Sequence, residues 1–182
     1  MGFDDRIIDF LEQCESLQFD GNVFRATRQN LDPTIPSVTG GRWMIPMRAA
    51  VLYTSTTDEG AMAEIAFHLG LLDPPPRKLV KLHKLAVTTR KAARIRREQF
   101  PLLGISEEQF GKRAYQKTQE VGAAAAHLGF DGLFVPSARA DAENLILFAD
   151  NHGFDTQLTV VSSLDVDWIE WVGHTKKGGT EY

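Results

Sequence analysis

One cysteine, Cys14, stands in 182 residues. A disulfide within the chain is therefore impossible, and a cysteine-based zinc site is excluded. The five histidines, His68, His83, His127, His152 and His174, show no metal-ligand spacing. Walker A, Gly-x-Gly-x-x-Gly after a strand, Gly-x-Ser-x-Gly and His-Glu-x-x-His are all absent. Their absence removes the familiar phosphate cradle, nucleophile elbow and zinc-protease mechanisms. No apolar run approaches the roughly 18 residues that span a bilayer. The N-terminal MGFDDRIIDF carries acids where a secretory leader carries bases. Gly2 is followed at position six by Arg6, not the Ser or Thr of an N-myristoylation signal. The expectation is a soluble cytoplasmic protein without membrane contact.

What is present is an ordinary globular balance, 43% hydrophobic and 24% charged. A chain of this size buries roughly 70% of its unfolded surface, enough for one domain over 1–182 without disulfide or metal. The net charge of −4 hides an asymmetry. Residues 77–117 hold 12 of the 20 Lys/Arg and 3 of the 24 Asp/Glu, a local balance of +9 against −13 elsewhere. The densest part is Arg90, Lys91, Arg94, Arg96 and Arg97. Such a segment is a solvated surface, a docking site for an acidic protein, or a nucleic-acid contact through 77–97. It lacks the interleaved aromatics of a nucleic-acid reader.

The apolar pattern divides the chain as follows. Ile7, Ile8, Phe10, Leu11 and Cys14 form a stripe that predicts a helix over 4–17. A short strand at 22–27 precedes a loop over 28–48 holding Pro33, Pro36, Pro46 and the Gly40–Gly41 pair. Val51–Thr56 reads as a buried strand, and Asp58 as the cap of a helix to about Leu71. Lys78–Thr88 alternates like a strand with a bulge. Ser106-Glu107-Glu108-Gln109 is a capping-box signature, and predicts one helix through Leu128. Strands are expected at 132–135, 144–148 and 157–162, and a frayed tail over 168–182. The fold class is α+β, a mixed sheet of about six strands with flanking helices.

Several polar residues sit where a purely structural sequence would put apolar ones. Arg25 lies inside Val23-Phe24-Arg25-Ala26, a strand-like run where a charge is costly to bury. Gly40-Gly41-Arg42-Trp43 sets an arginine beside flexible backbone and a flat ring, which suits an anion with a stacked base as well as it suits a surface turn. Tyr53 lies in the strand Val51–Thr56. Glu64 interrupts Ala61-Met62-Ala63-Glu64-Ile65-Ala66-Phe67 near the middle of its helix. It also shares a helix face with His68, a single pair that would need further ligands to hold a metal. Ser137 follows Pro136 at one strand end, and Asn144 opens the next strand.

In this order the pieces resemble the RES domain family, named for Arg, Glu and Ser. The matching blocks are Val23-Phe24-Arg25, Gly40–Trp43 leading to Val51–Ser55, Ala61–Glu64, and Gly132–Ser137 with Asn144–Phe148. Together they span about 22–150. The resemblance implies an ADP-ribosyltransferase-like fold that takes NAD as substrate. It implies cleavage of the nicotinamide–ribose bond by hydrolysis or phosphorolysis, with phosphate as a possible co-substrate and no metal. Protein ADP-ribosylation through the same pocket is the alternative. Carried over residue by residue, Arg25, Glu64 and Ser137 are the catalytic trio. Arg25, Arg42, Tyr53, Ser137 and Asn144 bind the dinucleotide. The implied partner is an Xre-like antitoxin, in a hetero-oligomeric toxin–antitoxin complex or with homo-oligomers. Nucleic acid is contacted only through the antitoxin. The segment before Gly40 departs from the family pattern by lacking a Gly-x-Gly-type run.

Overall fold

The computed structural model describes residues 2–153 and 155–178. Asp4 caps the first helix, α1 (Asp5–Gln13), by accepting the Arg6 N–H at 3.1 Å. Ile7 and Leu11, one turn apart, are its buried face. The helix ends at Gln13, short of the expected Leu17. Leu17 instead opens a 12-residue strand, β1 (Leu17–Arg28), because it pairs with Ala92 of a distant strand. Sheet pairing overrides the helical stripe.

The other strands are β2 (Val51–Ser55), β3 (Val80–Arg94), β4 (Gly132–Pro136), β5 (Glu143–Phe148) and β6 (Leu158–Val166). They form one mixed sheet in the order β1-β2-β5-β4-β3-β6. Only the β3–β4 pairing is parallel among those described. β1 also pairs along β3, from Leu17↔Ala92 to Arg28↔Val80, so β1-β2-β5-β4-β3 closes into a ring. The 15-residue β3 can serve three neighbours because it is long: β1, then β6 along Val80–Val87, then β4 at Ala92–Arg94. The bulge expected in this strand lies against β6, between Lys84 and Leu85. The ring is weakest where β1 meets β2, with the single register pair Phe24↔Ser55. The two strands splay there, and a helix covers the gap. This is α2 (Asp58–Gly70), capped by Thr57 accepting the Gly60 N–H at 3.0 Å, with Asp58 one residue inside the cap.

Every strand of the ring contributes to one apolar cluster that includes Val23, Leu52, Leu85, Phe134 and Leu145. A second cluster lies under α1 and α4 (Gln116–His127), with Trp43, Phe100, Phe110, Val121 and Phe148. A third joins α2 to β3 and to α5 (Trp168–Gly178) through Met62, Leu69, Val80 and Trp168.

Two further expected elements differ. The helix from Ser106 to Leu128 is broken into α3 (Glu107–Phe110) and α4, with a turn over 111–115. A continuous helix needs the carbonyls at 110–112 for its own ladder. Arg42 donates to those of Phe110 and Lys112, and Arg139 to that of Gly111. The part of the tail expected to fray over 168–178 is helical. Asp167 accepts the N–H groups of Ile169 and Glu170, and the buried Trp168 indole donates to Pro76 O at 3.0 Å. Residues 179–182 lie outside the described residues.

Gly122 in α4 lies against the backbone of Trp43. A Cβ there would stand 1.6 Å from the Trp43 carbonyl oxygen. Helix propensity favours alanine by about 1 kcal/mol, but forcing the two backbones apart costs about 1–3 kcal/mol. Gly122→Ala is therefore expected to lower the melting temperature by several degrees. Gly70→Ala, at a site with nothing within 4 Å, is expected to leave it unchanged or raise it. Calorimetry on both variants checks this, and equal behaviour would refute the close approach.

Candidate active site

The splay between β1 and β2 opens a cleft of about 310 Å³. Arg25 reaches it from β1, Tyr53 from β2, Glu64 from α2, Arg42 from the long loop and Asn144 from β5. Ser137, just past the end of β4, reaches the same place from behind, 1% exposed. All six residues singled out in the sequence thus converge on one site.

Glu64 is its centre. Ser137 Oγ donates to Glu64 Oε1 at 3.1 Å and Asn144 Nδ2 donates to the same oxygen at 3.2 Å. Oε2 receives no donor among the described residues. Ser137 Oγ also accepts the N–H groups of Arg139 (3.1 Å) and Ala140 (3.3 Å). A hydroxyl has one proton and two lone pairs, so Ser137 is fully committed. It holds Glu64 in place and is not set up as a nucleophile.

Arg25 differs from the other cations. Its Nη1 is enclosed and has no partner. The cross-strand neighbour is His83, but both His83 nitrogens are taken, by Thr27 Oγ1 at 2.9 Å and Ser163 Oγ at 2.7 Å. The nearest carboxylate that acts on it, Asp32, is committed to Thr34. Burial lowers the Arg25 pKa, with Asp32 opposing. An arginine remains charged under such a shift, so the cleft holds a cation in need of an anion.

Arg42 and Tyr53 have structural partners as well. The Arg42 guanidinium lies between the rings of Phe110 and Tyr115, 4.9 and 4.6 Å from their centroids, while donating to the Phe110 and Lys112 carbonyls. The Tyr53 hydroxyl accepts the Trp43 N–H at 3.1 Å, and burial raises its pKa, so it stays protonated. The Trp43 ring is buried beside Phe110 and offers no stacking face to a ligand.

Some lining residues escaped the sequence reading: Arg139, which packs over the Phe67 ring at 3.5 Å, and Tyr115; His68, read there only as a weak metal partner of Glu64, lines the cleft too. Arg139 follows Ser137 by two residues and His68 follows Glu64 by one helical turn, so sequence proximity carried a signal. The Glu64–His68 pair has no further ligands, since no group of three His, Cys, Asp or Glu lies together among the described residues. No helix among them is long and apolar enough to cross a membrane.

The basic cluster is mostly paired within the chain. Arg90 meets Asp155, Arg94 meets Glu143 at 3.1 Å, and Arg97 meets Glu107. Lys91 donates to Leu128 O at 2.7 Å.

Two expectations follow from half-buried Arg25 and its buried cross-strand neighbour His83. Arg25→Met removes an unpartnered charge, so the urea midpoint should rise; a fall would mean that the arginine has a stabilising partner. Burial, then Lys81, then Arg25 lower the His83 pKa, with Asp32 opposing. The unfolded chain takes up this proton first as pH falls below about 6.5, so folding stability falls with it. His68, lowered chiefly by burial, adds the same sign. His83→Gln should reduce the slope of urea midpoint against pH between about 7 and 5.5. An unchanged slope would reject this role.

Three comparisons bear on these residues. No curated protein matches the chain. A chain of the M. tuberculosis MbcT–MbcA toxin–antitoxin complex superposes with a TM-score of 0.78 at 17% identity, covering 94% of this chain and 98% of that one. That likeness is one of fold. The RES domain model matches residues 21–169, which extends the motif-bearing part past 150 to include β6 and the start of α5. With Arg25, Glu64 and Ser137 brought to one cleft by this fold, the chain belongs to the RES domain family.

Proposed function

We propose that the chain cleaves the nicotinamide–ribose bond of NAD and acts in the cytoplasm as a toxin that a cognate Xre-like antitoxin neutralises. The observation that carries this reading is a single cleft holding a positioned carboxylate, Glu64, and a half-buried guanidinium, Arg25, whose enclosed Nη1 has no partner. A dinucleotide has a pyrophosphate for the second and a ribose for the first.

Arg25 pairs with pyrophosphate oxygens, since its fork matches them and no protein group competes for Nη1. Glu64 accepts a hydrogen bond from a ribose hydroxyl through the free Oε2. The C–N bond then breaks, and its electron pair leaves with nicotinamide, neutralising the pyridinium. Positive charge builds at the ribose C1 and ring oxygen, where a nearby carboxylate stabilises it. Water adds and loses a proton in the hydrolytic case, giving ADP-ribose. Phosphate adds in the phosphorolytic case, giving the ribose 1-phosphate. Tyr53 lines the nicotinamide end with its phenol protonated. Arg42 joins the pyrophosphate only by exchanging the Phe110 and Lys112 carbonyls for it. The antitoxin assignment draws support from the family and from the complex in which the structural neighbour was solved.

Purified protein incubated with NAD is expected to release free nicotinamide. A requirement for added phosphate identifies phosphorolysis, and release without it identifies hydrolysis. Absence of release under both conditions from folded protein refutes the reading. Glu64→Gln keeps an acceptor for Ser137 and Asn144, so its melting temperature should stay within about a degree or two while turnover falls at least about 100-fold. Turnover within a few-fold of wild type would remove Glu64 from the mechanism.

A further inference from the structure

The segment rich in arginine contributes none of the RES motif blocks, yet two of its side chains end against the turn that carries them. Residues 137–142 connect β4 to β5 and, with the start of β5, deliver Ser137 and Asn144 to Glu64. Arg97 donates from Nη2 to the Ser137 carbonyl at 3.1 Å, pairs with Glu107 through Nη1, and lies over the Phe110 ring at 5.0 Å. Arg94 pairs with Glu143, the residue before Asn144, and lies over the Phe134 ring at 4.7 Å. The turn is thus held at both ends by arginines from outside the cleft. Those arginines line a separate open groove behind it, together with Ser137 and Glu143.

We propose that Arg97 is a positioning residue for Glu64, acting through Ser137. Ser137 is buried and its hydroxyl is fully committed, so its own backbone position decides where its single proton points. The carbonyl of Ser137 is the only handle on that backbone that a side chain outside the turn takes among the described residues. Three features fix Arg97 itself: the Glu107 carboxylate, the Phe110 ring and the start of the 3-10 turn Arg97–Leu103. A guanidinium suits this better than an ammonium, because it donates along two directions in one plane. Removing it releases the Ser137 end of the turn, lets the Ser137 hydroxyl rotate from Glu64, and leaves Arg25 and Asn144 untouched.

This inference rests on the NAD reading for its kinetic test, but not for its structural one. Arg97→Ala should lower kcat for nicotinamide release about 10-fold with little change in KM, and Arg97→Lys should recover part of it. In a Ser137→Ala background, Arg97→Ala should cost nothing further, since its route to Glu64 is already gone. Arg90→Ala, in the same basic cluster but paired with Asp155, should leave kcat unchanged. Amide hydrogen exchange supplies a readout independent of turnover. The N–H groups of Arg139 and Ala140, held by Ser137 Oγ, should exchange faster in Arg97→Ala at unchanged global stability. Unchanged exchange at those amides, or losses that multiply in the double variant, would overturn the inference. Absence of turnover in wild type would instead strike the NAD reading, while the exchange result would still decide the role of Arg97.

Discussion

A carboxylate set in the middle of an apolar helix must be held by donors, and here both donors come from across the sheet. Ser137 and Asn144 meet on one oxygen of Glu64 because β4, β5 and β2 lie side by side in fixed register, Val135↔Asn144↔Ser55. A slip of one residue in β5 would turn Asn144 to the opposite face and break the contact. The helix also has to approach closely. A Cβ at Gly60 would stand 2.2 Å from Ser55 Oγ, so only glycine lets the first turn of α2 settle against β2. Glu64 then falls one turn later, over Asn144. Ring closure, register and one glycine all converge on the placement of a single oxygen.

The same site carries the molecule's electrostatic cost. Arg25 has an enclosed nitrogen without a partner, and its cross-strand neighbour His83 is held neutral between two hydroxyls. The Arg25 arrangement would not be chosen for stability, because buried polar groups are ordinarily paired. Strain of this kind collects where a ligand completes the hydrogen bonding. Arg42 and Arg139 show the opposite arrangement. Both line the cleft, but their donors close on the carbonyls of residues 110–112. They order the turn beside the cleft, and Arg25 remains the cation with an open valence.

How much of this could be read from the sequence depends on whether a residue's role was local. Arg25 and Glu64 announce themselves because each breaks an apolar run, and a charge inside such a run needs a reason; Asn144 shows only as the polar residue that opens an apolar strand. The six strands follow from β-branched and apolar runs between turn residues. What escaped was set by distant partners. Leu17 leaves α1 for β1 because Ala92 is there to pair with it. The helix predicted from Ser106 breaks because Arg42, some seventy residues earlier, takes its carbonyls. Trp168 turns a tail into a helix by finding Pro76. Trp43 looked like a stacking platform beside Gly40 and Gly41, yet its ring fills the core against Phe110.

The charge asymmetry shows how the fold uses what the sequence separates. The segment 77–117 carries a balance of +9 and the remainder −13. Asp165 pairs with Lys81, Asp155 with Arg90, Glu143 with Arg94 and Asp4 with Lys117. Each of those four acids lies outside the basic segment. Segregation along the chain therefore becomes neutralisation across the sheet. Pairs this exposed contribute little stability individually, so their value is positional. The basic segment comprises β3, the 3-10 turn after it, α3 and the start of α4, and docks against elements far apart in sequence. Two arginines of the segment, Arg94 and Arg97, reach the turn carrying Ser137 and Asn144. A stretch that looks like a surface patch thereby becomes the outer wall of the turn that places Ser137 and Asn144 against Glu64.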